Sequence, residues 1–378
     1  MMTSTLRQSV HRLSIGLASA ACLLAAPAAW AQTSNDATLA ALAEDTRDSW
    51  GSPAVGLMQL REGEVHIGVA GLRDVSDTAE VSTDDLWHLG SNTKSMTATL
   101  VARLAESGVI SWDDTVSQHL GEHLELIDPG FHDVTFRHLL SHHSGAPANI
   151  GQAYMMMFAL EREGGRPLPE QRLSYAGHIL ALPPESEPGS TYLYSNAGYV
   201  IAGAMLEQAT GEAWEVLIER EVMTPLGIDD FGFGAPGSTE VIDQPRGHLD
   251  GSHGNPAAMS GPTADNPPVL GPAGTMHMSL PDYALYLQAH IDGGRGVETG
   301  FLSQESWDIL HTRPFEAGYA MGWGLGSDEL QHSGSNRMWL MHTVIVPEQQ
   351  MGAVIAMNRM RTGNAGALLR EIATTARD

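Results

Sequence analysis

Lysine and cysteine are almost missing from this sequence: each occurs once, against nineteen arginines. The one cysteine, Cys22, falls in an apolar stretch near the N-terminus. The rest of the chain therefore has no disulfide, no thiol nucleophile and no thiolate metal site. Basic residues are scarce as a class, 20 against 45 acidic ones, for a formal charge of −25. A surface so charged repels nucleic acid, anionic membrane and polyanionic substrates. The apolar run Ile15 to Trp30 is short for a membrane span. No H-x-H-x-D or H-E-x-x-H spacing offers a metal site, no G-x-S-x-G marks a nucleophile elbow, and no internal repeat is visible.

What is present near the N-terminus is a secretion signal. Arg7 and Arg12 precede the apolar run, which ends in Ala29-Trp30-Ala31, an A-x-A cleavage pattern. A signal peptide over residues 1–31, cleaved after Ala31, is expected, with a periplasmic or secreted product whose charge is −27 once Arg7 and Arg12 are gone. An uncleaved anchor is the alternative. Ser19-Ala20-Ala21 lacks the leucine usual before a lipidated cysteine. Residues 32–378 are long enough for one large domain or two smaller ones.

The surviving lysine sits in Leu89-Gly90-Ser91-Asn92-Thr93-Lys94, at the mouth of an apolar helix that runs through Met96–Ala105 to a stop at Gly108. Residues three apart share a helix face with Cβ atoms roughly 5–6 Å apart, so Ser91 and Lys94 can meet. An amine beside a hydroxyl can take its proton, whereas a guanidinium stays charged. In isolation, a solvated Ser-x-x-Lys at a helix start would look the same.

Along the chain, a helix is expected over Thr38–Ser49. A β-hairpin follows, from Val55–Leu60 and Val65–Val69 around Glu62-Gly63. The histidines of 138–143 read as a helix end and turn, and Met155–Phe158 as core or a lid. A glycine turn at 188–190 leads into Tyr194-Ser195-Asn196 and a helix over Tyr199–Ala209, then another over Trp214–Val222. Residues 234–275, rich in Gly, Pro, Asn and Ser, read as a long loop region that walls or covers a site; His248, Asp250 and His253 fall in it without metal-ligand spacing. Ser279 caps a helix over Asp282–His290. Strands are expected at Gly318–Leu325, Met338–Val346 and Met351–Met357, with a final helix over Ala365–Ala376. The expected class is α+β: an antiparallel sheet of N- and C-terminal strands flanked by helices, with a largely helical insertion at about 110–275.

Three motifs stand in order: Ser91-x-x-Lys94, Tyr194-x-Asn196 and His332-x-Gly334. Together with Leu139–Gly145, Pro225-Leu226-Gly227 and Pro272-Ala273-Gly274, they resemble the serine β-lactamase and penicillin-binding-protein superfamily. The resemblance is to its class C-like branch of β-lactamases, D,D-carboxypeptidases, D-amino-acid peptidases and esterases, and covers nearly all of residues 32–378. It implies a β-lactamase/transpeptidase-like fold, Ser91 as the nucleophile, and Lys94 or Tyr194 as its base, with Tyr194 favoured in this branch. Asn196 would hold Lys94 and donate to the substrate carbonyl. His332 and Gly334 would lie on the strand beside the cleft, and the N–H groups of Ser91 and Ser335 would form the oxyanion hole. β-Lactamases usually carry lysine where His332 stands, and neutral histidine anchors a carboxylate weakly.

The implied protein is a secreted serine hydrolase acting through a Ser91 acyl-enzyme on a small ester or amide, esterase or peptidase before efficient β-lactamase. It needs no metal or organic cofactor. Its substrate is a small molecule or short peptide, without nucleic acid or stable membrane insertion. A penicillin-binding module that is acylated but turns over little is the alternative.

Overall fold

The computed structural model describes residues 35–161, 165–252 and 255–375. The stretch read as a signal peptide, with Cys22, lies outside them, as do His253 and Ala376.

The chain opens with helix α1 (Ala37–Trp50), whose first amides are capped by the Asp36 carboxylate and whose end turns on left-handed Gly51. Strands β1 (Ala54–Arg61) and β2 (Glu64–Gly71) form the expected hairpin. Its two turn residues, Glu62 and Gly63, have φ of 52° and 82°, the twist that a two-residue hairpin demands. Short β3 (Leu86–His88) leads into α2 (Thr93–Glu106). The helical middle follows: α3 (Val116–Leu120), α4 (Phe136–Leu140), α5 (Gln152–Leu160), α6 (Leu168–Leu180), α7 (Asn196–Thr210), α8 (Trp214–Ile218) and α9 (Thr224–Leu226). Small strands β4 (Phe231–Phe233), β5 (His248–Asp250) and β6 (Pro256–Ala258), then α10 (Gly271–Gly274), complete it. The chain returns through β7 (Met276–Ser279), α11 (Leu280–Gly294) and α12 (Gln304–His311) to strands β8 (Gly324–Leu325), β9 (Leu330–Ser335), β10 (Leu340–Val346) and β11 (Met351–Met357), and closes with α13 (Ala365–Thr374).

Chain ends meet in one six-stranded antiparallel sheet, in the order β2-β1-β11-β10-β9-β8. β1 pairs with β2 and β11, Leu57 facing Ile355, so the N-terminal hairpin is completed by the last strand. Alternate residues of these strands serve two cores, as a period of two requires. Val55, Leu57, Val344 and Ile355 pack with Leu39 of α1 and Leu368 and Ile372 of α13. Met58, Leu60, Met341 and Val354 face the larger core with α2 and α11. Burying each such side chain contributes about 1.5–3 kcal/mol. The one polar residue inside the run, Gln59, is 2% exposed and donates to the terminal carbonyl of Ile372, 2.6 Å away.

Three boundaries and one helix cap stand out against the sequence reading. The strand expected at Gly318–Leu325 is only Gly324–Leu325, because the chain turns at left-handed Gly322, leaving Tyr319 and Trp323 buried off the sheet. β10 begins at Leu340 rather than Met338, since Arg337 takes φ 80° in a tight turn. α7 starts at Asn196, three residues early, because Ser195 is its cap. Ser279 caps α11, accepting the Asp282 N–H at 3.2 Å, but the reciprocal half of a capping box is absent: the Asp282 carboxylate accepts the amides of Asp229 and Asp230 instead.

Helices α6 and α12 and strand β7 carried no sequence expectation. The 234–275 stretch, which follows β4, holds β5, β6 and α10 among irregular turns. Among the described residues no helix is long and apolar enough to cross a membrane.

Candidate active site

Ser91 stands where the small sheet meets the central helix. β3 ends at His88, the chain turns at Gly90 (φ 57°), and a single 3-10 turn over Gly90–Asn92 delivers Ser91 to the N-terminus of α2. That end presents amides and a partial positive charge. Every residue of α2 from Thr93 to Ala102 is buried, so the helix is enclosed as its apolar sequence requires.

Enclosure leaves Lys94 0% exposed. Its Nζ donates to Asn196 Oδ1 at 2.7 Å and to the Ala273 carbonyl at 2.6 Å, and lies 3.3 Å from Ser91 Oγ. Among the described residues no carboxylate pairs with it. Burial disfavours the ammonium, and the pKa falls from 10.5 to about 7. An amine that has given its two hydrogens to neutral oxygens directs its lone pair at the third neighbour, the Ser91 hydroxyl.

Tyr194 faces the same pair: Ser91 hydrogen-bonds it, and the Lys94 nitrogen lies 4.9 Å from its ring centre. Burial raises the phenol to about 12, against the Ser91 hydrogen bond, which lowers it. Tyr194 is 36% exposed, so solvent screens part of this push, but the direction is toward the neutral phenol. Both groups are thus biased to their uncharged forms. A neutral amine can accept a proton from the Ser91 hydroxyl, and a neutral phenol can donate one.

Asn196 opens α7. Its Oδ1 accepts from Lys94, while its Nδ2 donates to Asn149 Oδ1 at 2.9 Å. The Ser195 cap donates to the Pro147 carbonyl and accepts the Gly198 N–H, fixing the start of the helix.

The third motif is divided. Gly334 and Gly90 meet backbone to backbone: a Cβ on Gly334 would lie 1.9 Å from the Leu89 carbonyl oxygen and 2.3 Å from the Ser91 nitrogen, and one on Gly90 would lie 2.1 Å from the Ser335 nitrogen. Two glycines therefore allow β9 to run against the nucleophile turn and bring the Ser91 and Ser335 amides beside it. His332 does not line the cleft. It is 8% exposed, its Nδ1–H donates to the Ser333 carbonyl, and its Nε2 accepts from the Tyr319 hydroxyl at 2.9 Å. Burial, helped by the Lys94 charge, holds it neutral, with a pKa down to about 3.

The cleft over Ser91 has a volume of about 500 Å³, within the usual size for small-molecule sites. Asn196, Ala273, Gly274 and Ser335 line it, with Ile150 and Met155 from the α5 side. Sequence reasoning missed Asn149, Asn266 and Arg337 in its wall. Arg337 is exposed, and among the described residues its guanidinium has no partner. The residues that the sequence left as doubtful metal ligands are engaged elsewhere: His248 accepts the Val75 N–H, and Asp250 pairs with Arg359 and Arg361. Among the described residues no group of three potential ligands converges.

Two relatives show how far the sequence has diverged. The chain is 24% identical over 352 residues to Unguisins hydrolase ungD of Aspergillus violaceofuscus, covering 84% of this chain and 60% of that protein. It is 23% identical to Protein flp of Staphylococcus aureus, covering 81% and 59%. The chain thus spans about 60% of the length of these relatives.

Among solved structures, an octameric penicillin-binding protein homologue from Pyrococcus abyssi matches with a TM-score of 0.69 at 25% identity, covering 89% of this chain and 75% of that one. A D-stereospecific amidohydrolase from Streptomyces matches with a TM-score of 0.68 at 21% identity, covering 90% and 100%. The fold is the β-lactamase/transpeptidase-like one. The Beta-lactamase family model matches residues 39–377, nearly the whole chain, and the protein belongs to that family.

Proposed function

We propose that this protein hydrolyses a small ester or amide through an acyl-enzyme on Ser91, with Lys94 as the base. The observation that carries this is the buried Lys94 amine, bound to two neutral oxygens and facing the Ser91 hydroxyl at 3.3 Å. Ser91 Oγ attacks the acyl carbon and passes its proton to Lys94 Nζ. The bond to the leaving group breaks, and the proton returns to that group, with the neutral Tyr194 phenol as relay. Water then attacks the acyl-enzyme, losing a proton to the same amine, and releases the acid as Ser91 recovers its own. The Ser91 and Ser335 amides stabilise the oxyanion, each such donor being worth about 10²–10³ in rate.

Esters and peptide-like amides suit this site better than β-lactams. The third-motif His332 is neutral and occupied by Tyr319, so it cannot serve as the cation that holds a β-lactam carboxylate. The A-x-A pattern at Ala29–Ala31 supports a secreted or periplasmic product. The test is turnover of a short nitrophenyl ester and of nitrocefin by wild type and Ser91→Ala. The proposal expects ester turnover well above nitrocefin turnover, and its loss in the variant; retention of ester turnover in Ser91→Ala rejects it. An adduct that persists without turnover would indicate a binding module instead.

A further inference from the structure

His142 is buried and adopts φ 64°, left-handed backbone that a residue with a side chain adopts at a cost of about 1–2 kcal/mol. Strain of this kind persists where surroundings over-determine it, and often marks a functional position. The consequence of the turn here is that the carbonyl and the imidazole of one residue face the same stretch of chain. The His142 carbonyl accepts the Leu193 N–H at 2.8 Å, and its Nδ1 accepts the Ser195 N–H at 3.0 Å. Leu193 and Ser195 are the two residues that flank Tyr194.

The side chain is also the wall behind the phenol. Its ring centre lies 4.3 Å from that of Tyr194 and 4.6 Å from that of Tyr319, the residue that occupies His332. A backbone N–H can only donate, so Nδ1 carries no proton and the hydrogen sits on Nε2, which among the described residues has no hydrogen-bond partner. Burial, with the Lys94 ammonium acting the same way when protonated, keeps this imidazole neutral well below its usual range. In this arrangement it serves as an acceptor for the Ser195 N–H and not as a proton carrier.

We infer that His142 is the positioning residue for Tyr194: by gripping the chain on both sides of it, His142 aims the phenol at Ser91 and Lys94. The inference rests on the acyl-enzyme reading above. His142 touches no reacting atom in this scheme, and its effect passes through the direction of Tyr194. Misplacing a catalytic group by about 1 Å can cost about 10²-fold in rate.

Two variants test it. His142→Gly keeps the backbone angle and the Leu193 bond and removes the ring. His142→Phe keeps the ring volume and removes the nitrogen. Active sites are counted by fluorophosphonate labelling, and kcat per labelled site and KM are measured on a short nitrophenyl ester, with melting temperature recorded.

The expected result is a fall of about 10–100-fold in kcat per site, with KM within threefold, in whichever variants fold. A merely structural residue would lower the melting temperature and the number of labelled sites but leave kcat per site unchanged. Wild-type kcat per site in either folded variant overturns the inference. If wild type itself is neither labelled nor active, the acyl-enzyme reading fails, and the inference with it.

Discussion

The Ala273 carbonyl oxygen lies 2.6 Å from Lys94 Nζ, and among the described residues no carboxylate pairs with that amine. Most buried lysines find an anion or shift their pKa. This one is held by two neutral oxygens, and the pH behaviour of the site follows from that choice.

Lys94 must be neutral to accept the Ser91 proton, so kcat/KM rises with pH through about 7 and then levels, since the Tyr194 phenol is raised to about 12. The buried histidines near Lys94, His142 and His332, are both held far below 7 and add no limb of their own there. A pH profile of ester hydrolysis checks this. An activity confined to pH above about 9 would mean that the amine is charged at neutrality and that the base is another group.

The same burial costs stability. The folded pKa is lowered from 10.5 to about 7, so the unfolded chain binds the additional proton between those values. The penalty is complete below pH 7 and is relieved as pH rises toward 10.5. Lys94→Met removes it. The variant should melt higher than wild type at pH 6, with a smaller gain or none near pH 10, while ester turnover is lost. Thermal unfolding at the two pH values reads the difference, and a gain that grows with pH would contradict the assignment.

Gly334 has no room for a side chain, because a Cβ there would sit 1.9 Å from the Leu89 carbonyl oxygen. Gly334→Ala must push β9 away from the nucleophile turn. The prediction is a loss of 10-fold or more in kcat, since the paired amides of Ser91 and Ser335 separate, together with a melting temperature lowered by several degrees. Unchanged kinetics would show that β9 does not set the oxyanion site.

Arg337 is the cation in the cleft wall free of a partner among the described residues, on a chain of net charge −25. Arg337→Gln should raise KM for an ester that bears a free carboxylate by about 10-fold, or about 1.4 kcal/mol, and leave a neutral ester within twofold. The effect should shrink as salt is raised. Equal changes for both substrates would place Arg337 outside substrate recognition.

Arg172 is 0% exposed and pairs with Glu207 and Glu215, while its Nε and Nη2 donate to the carbonyls of Val269 and Pro268, just ahead of Ala273. Removing one partner of such a group leaves buried charge uncompensated, at about 3–5 kcal/mol. Arg172→Met should destabilise the protein by that order in urea unfolding. It should also loosen the 268–273 segment that holds Lys94, so that activity is lost at lower urea than tertiary structure. Coincident loss would assign Arg172 to the fold alone.

Much of this architecture was legible before any coordinates. The hairpin around Glu62-Gly63 and the β10–β11 pair followed from short apolar runs and the turn residues between them. The Ser91–Lys94 pair followed from helix spacing and from lysine occurring once, and Tyr194 and Asn196 were placed with it by the order of motifs.

What was not legible has physical reasons. Ala273 acts through its backbone carbonyl, which leaves no trace in side-chain identity. His332 is engaged by Tyr319, whose hydroxyl, from a turn with no regular pattern, donates to its Nε2. His142 looked like one of a run of structural histidines, and only its backbone angle, which brings carbonyl and ring to the same stretch of chain, separates it from His143. Asn149 and Arg337 reach the site from loops whose path depends on the whole fold.

The central claim is that Ser91 becomes acylated. Its most direct measurement is the intact mass of the protein after incubation with a fluorophosphonate, followed by peptide mapping. The account predicts one adduct per chain, located on Ser91, absent in Ser91→Ala and formed more slowly below pH 7. An adduct on another residue, or equal labelling of Ser91→Ala, would contradict it.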